Sequence, residues 1–174
     1  MKKTTMLIFA LLLLSLLVSC TSPSAQKDPS PSQPSKGQSS SQKDTQSALE
    51  LLSKNTTLPA LPGEYLEGVD TEAFEKTENG ELIEYSCKAL GLYYVFEKGE
   101  SDSETRLISV KFTSARHAIF GISVGDMLMD AELMLSSSGF SLERDGSEST
   151  FTKGALKIRA SHEDGKISGI TVSL

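Results

Sequence analysis

Between Thr21 and Asp44 the chain is almost entirely Ser, Pro, Gln, Lys and Thr, with no aromatic and no branched aliphatic side chain. A segment of that composition buries too little apolar surface to offset the entropy of ordering it, so it is expected to stay disordered. Anything that folds must therefore lie in about Gln46 to Leu174, one domain's worth of chain with a single modest core.

Upstream, Lys2 and Lys3 precede an apolar run from Met6 to Val18 that only Ser15 interrupts. This is the basic-then-apolar order of an export signal. At about 13 residues the run is short of the roughly 20 needed to cross hydrocarbon as a stable helix.

The run closes on Leu17-Val18-Ser19-Cys20, which resembles the lipobox of bacterial lipoproteins. The resemblance implies that residues 1–19 are a cleaved signal peptide and that Cys20 becomes the lipidated first residue of an extracytoplasmic protein. The alternative is an ordinary secretory signal with an incidental cysteine. Two acyl chains suffice for stable anchoring where one does not. Residues 20–45 would then form a tether with an r.m.s. span of roughly 25 to 30 Å, a length that suits a Gram-positive surface.

Twelve Lys and Arg against 21 Asp and Glu give the segment from residue 46 onward a net charge of −9, beside −6 for the whole chain. That balance disfavours nucleic acid or an anionic bilayer as the domain's partner. The sequence holds two cysteines. With Cys20 acylated no intramolecular disulfide is available, and Cys87, alternating with polar neighbours beside Ile83, Tyr85 and Ala89, reads as a buried, inert thiol.

Local patterns predict a short helix over Thr45–Lys54 and then strands over Thr71–Thr77, Glu81–Ala89, Leu92–Glu97 and Arg106–Thr113. The first pair turns at Asn79-Gly80, and Ile108, Val110 and Phe112 share one face of the fourth strand. From Gly121 a second unit begins: Asp126 as N-cap, a helix carrying Met127, Ala131, Met134 and Leu135 up to Gly139, and strands over Phe140–Arg144, Thr150–Ala160 and Lys166–Leu174. The halves repeat at an offset of roughly 62 to 66 residues. The expected fold is α+β: two tandem units, about 46–113 and 119–174, each a helix plus a three-stranded meander, joined in one antiparallel sheet with both helices on one face.

Gly121-Ile122-Ser123-Val124-Gly125-Asp126 entering a helix, then Ser138-Gly139-Phe140, then Ile167-Ser168-Gly169-Ile170-Thr171-Val172 resembles the repeat of small bacterial lipoproteins related to beta-lactamase-inhibitor-like and BamE/SmpA-like domains. The resemblance spans about 55 residues, and the first half lacks the matching glycine entry to its helix. It implies binding of other proteins or assembly of envelope complexes without catalysis.

For chemistry the chain offers little. Its two histidines are His117 and His162, and no serine stands in a Gly-x-Ser-x-Gly elbow. His162-Glu163-Asp164 reads as a solvated turn, since three successive residues diverge where metal ligands must converge. Glu100, Asp102 and Glu104 lack EF-hand spacing. No catalytic residue, metal or cofactor is implied. Met127, Met129 and Met134 read as helix-on-sheet packing, with adaptable recognition as the alternative. In Leu92-Tyr93-Tyr94-Val95-Phe96 the alternation puts Tyr94 and Phe96 on the face of Leu92 and Tyr93 and Val95 on the other. With helices over one face only, one set must lie open, and Tyr93 and Val95 are expected there, where tyrosine favours a binding surface. The expectation is a non-enzymatic, membrane-anchored module that binds an envelope protein. The alternative is a small envelope hydrolase or metal-dependent enzyme.

Overall fold

The computed structural model describes residues 38–174, with side chains from residue 45. The signal peptide, Cys20 and most of the tether lie outside the described residues. The first helix, α1, spans Gln38–Ser53 and so begins seven residues before the periodicity at Thr45 predicted.

The domain is mostly β. Strands β1 (Glu75–Asn79), β2 (Leu82–Cys87), β3 (Leu92–Glu97) and β4 (Arg106–Phe112) run as one antiparallel series, and β7 (Ser141–Asp145), β8 (Glu148–Lys153), β9 (Leu156–Glu163) and β10 (Lys166–Ser173) as another. Pairing of β4 with β10 fuses them into an eight-stranded sheet of order β1-β2-β3-β4-β10-β9-β8-β7. Between the two series lie the small hairpin β5 (Ala118–Ile119) and β6 (Ile122–Ser123) and the helix α2 (Leu128–Ser137).

This overturns the expected α+β arrangement of two helix-plus-three-stranded-meander units. Each series has four strands, and the sheet is continuous across the molecule. The helices contribute few buried side chains, chiefly Ala48 and Leu52 from α1 and Ala131 and Leu135 from α2. Loop and hairpin residues Leu58, Ala60, Leu66, Val69, Ile119 and Ile122 supply much of the remaining cover over the same core. Against them pack Tyr94, Phe96, Phe112, Phe151 and Ile158 from the sheet, each fully or almost fully buried. A fully buried side chain of this size is worth roughly 1.5 to 3 kcal/mol.

Three local expectations change with it. Thr150–Ala160 is not one strand, because Gly154 at φ +60° turns the chain between β8 and β9. Ile108 does not share a face with Val110 and Phe112. A bulge pairs Phe96 with Leu107 and Val95 with Ser109, so Leu107 takes the inward place and Ile108 is left half-buried. Asp126 does not cap α2. Met127 is the N-cap residue, without a side-chain bond, and Asp126 Oδ2 accepts from the Ser123 amide at 2.7 Å.

Candidate functional site: the uncovered sheet face

In the inner strands of the large sheet, side chains alternate between the core and the opposite face except at the bulges, while the edge strand β1 is exposed throughout. On β3 the inward set is Leu92, Tyr94 and Phe96, while Tyr93 and Val95 are half-buried on the other side. The strand order places those two near the middle of a surface on which no side chain is buried.

Registers define two rows across this surface. In the first, Tyr93 stands opposite Ser86 on β2 and Lys111 on β4, Lys111 opposite Thr171 on β10, and Thr171 opposite Arg159 on β9. Thr150 and Glu143 complete the row towards β7, and Glu75 ends it on β1. In the second, Val95 lies between Glu84 and Ser109, and Ser173 joins Ser109 to Lys157, which faces Thr152. The rows thus bring Lys111 on β4 close to Lys157 and Arg159 on β9, with only β10 between them, among hydroxyls and with carboxylates on the outer strands.

Lys111 Nζ sits 5.9 Å from the centroid of the Tyr93 ring, a cation–π geometry that orients the ring without neutralising the charge. Arg159 Nη1 reaches Glu148 Oε1 at 3.9 Å with both side chains substantially exposed, a weak contact in water. Lys157 is exposed and forms no ion pair among the described residues.

Behind this face, Tyr94 stacks on Phe74 at 4.8 Å and meets Phe96 edge-on at 6.4 Å. Burial pushes its phenol up to about 12, with the Glu64 and Asp70 carboxylates adding to the shift. Tyr94 is a neutral core residue, and only Tyr93 is presented outward.

The remaining candidates do not converge. His117 packs edge-on against Phe112 at 6.1 Å, and its Nε2 has no hydrogen-bond partner. His162 lies on β9 opposite Ile167, and Asp164 occupies the turn at φ +51°. Cys87 is buried. Among the described residues no three His, Cys, Asp or Glu side chains group to hold a metal ion. Met127, Met129 and Met134 are all exposed, Met129 to 73%, with Leu133 equally so. The expected packing of these methionines on the sheet is therefore corrected: Ala131 and Leu135 make that contact.

Sequence reasoning reached Tyr93 and Val95 but missed Lys111, Lys157 and Arg159. Alternation about Leu156, Ile158 and Ala160 would have placed the last two outward. Their adjacency to Lys111 needs the β4–β10 pairing, which no local pattern announces.

No known protein family matches the chain, and no curated protein matches it either. Among solved structures it is similar to an extracellular protein containing an SCP domain from Bacillus anthracis str. Ames, with a TM-score of 0.43 and 8% identity over 64% of this chain. The match covers 43% of that protein, so this chain corresponds to less than half of its neighbour's length.

Proposed function

We propose that the chain is a lipid-anchored, extracytoplasmic, non-enzymatic module that binds a protein of the cell envelope through its uncovered sheet face. The observation that carries this reading is the one-sided sheet: eight strands with core on one side and, on the other, a broad surface with Tyr93 and Val95 near its middle. Proteins use such flat faces with aromatic anchors for recognition. The leader and Cys20 support the anchoring half of the proposal.

The test is site-specific photocrosslinking in the full chain within its own envelope. A photoreactive residue replacing Tyr93 should capture a discrete protein that the same residue replacing Glu50, on α1, does not. Equal capture at both positions, or none at Tyr93, would remove the open face from the account. Labelled palmitate should enter the wild-type chain and not Cys20→Ala.

A further inference from the structure

Resting on that reading, we infer that the middle of the open face, over β4, β10 and β9, receives an acidic peptide segment in extended conformation. The domain is strongly acidic, yet Lys111, Lys157 and Arg159 concentrate on β4 and β9, the two strands that flank β10. None is consumed internally: Lys111 rests over an aromatic ring, Arg159 makes one long exposed contact, and Lys157 has no ion pair among the described residues. Cations left available in this way attract an anionic partner and set its register.

Geometry narrows what that partner is. Lys157 and Arg159 are two residues apart on one strand, a spacing of about 6.6 Å, which is also the repeat of same-side side chains in an extended peptide. Acidic residues at alternate positions along a segment parallel to β9 would meet both cations. The cations themselves span only β4 to β9, a width of about 10 Å, while Glu84 on β2 and Glu143 on β7 bound the wider strip on either side. A uniformly charged polymer crossing the sheet would run onto those carboxylates. A peptide can instead place acids over the centre and an apolar residue over Tyr93 and Val95. A second copy of this chain fits poorly, because a two-fold axis through the centre of the face sets cations against cations.

The probe is a short fluorescent peptide alternating Glu with Val and Ser, titrated against the full chain at low and physiological salt. Saturable binding that weakens with salt is expected, together with a loss of roughly tenfold or more in Lys157→Glu/Arg159→Glu and a smaller loss in Lys157→Gln/Arg159→Gln. All these side chains are exposed, and unchanged melting curves will show that the variants fold. Absence of binding, equal binding of the Gln-for-Glu peptide, indifference to both double variants, or tighter charge-matched binding of inorganic polyphosphate would each overturn the inference. Photocrosslinking at Tyr93 separates the two proposals: a partner captured there while the acidic peptide fails leaves the binding module standing and removes only its acidic ligand.

Discussion

Arg144 grips Glu132 with two parallel hydrogen bonds, Nε to Oε1 and Nη2 to Oε2, both at 2.7 Å. The pair ties α2 to the edge strand β7. Such forked contacts gain geometric specificity over a single ion pair. The guanidinium holds the Glu132 carboxyl below its ordinary value of 4.5, while partial burial works the other way. A depressed carboxylate contributes stability that is present above the unfolded pKa and is lost as pH falls through the folded one. Glu132→Gln should therefore melt about 2 °C below wild type at pH 7. The two curves should converge in thermal scans once the pH falls below 4.5 and through the lowered folded-state value, where the carboxyl is protonated in both states. A difference independent of pH would mean the fork adds nothing through its charge.

Tyr94 makes the opposite prediction at alkaline pH. Its phenol titrates at about 12 in the fold against 10.0 for the unperturbed group. A raised folded pKa gives stability that is complete below pH 10 and is lost as pH rises from 10 through 12. Over that window the loss should amount to roughly 2 to 3 kcal/mol. Tyr94→Phe should lack that component while staying within about 1 kcal/mol of wild type at pH 7. Urea denaturation at pH 7 and pH 12 measures both.

Phe120 occupies the left-handed region at φ +51° in the turn between β5 and β6, and its ring meets Phe140 edge-on at 5.3 Å. The aromatic contact holds a bulky residue where glycine is at ease. Phe120→Ala loses the ring and keeps the strain, whereas Phe120→Gly loses the ring and relieves it. Both should be less stable than wild type, and the glycine variant should exceed the alanine variant by about 1 kcal/mol in chemical denaturation. The reverse order would show that the backbone there is not strained.

How much of this was legible beforehand depends on parity. Alternation located most of the large strands and sorted Tyr93 from Tyr94. Two interruptions of parity escaped notice. Phe151 points inward from an odd position, and Leu156, Ile158 and Ala160 from even ones, which one uninterrupted strand cannot accommodate. The same break separates Leu107 from Val110 across the bulge. The fold class was misjudged for a different reason. Helical periodicity implied two helices that would each cover half a sheet, but irregular segments such as Leu58 to Val69 share that task, and they carry no period to read. The three cations of the candidate site came together through a pairing between residues such as Lys111 and Thr171, far apart along the chain.

That central pairing also orders events in time. Lys166–Ser173 emerges from the ribosome after every other strand of the sheet, yet it lies between β4 and β9. Until it arrives, the first four strands end in a bare edge at β4, and Phe112 and Val110 lack the neighbours Ile170 and Val172. Closing so long a loop is slow, and an unpaired edge is open to the wrong partner meanwhile. Trimming β10 would therefore not shorten the sheet by one strand. It would split the sheet into two halves, each with a newly bared edge.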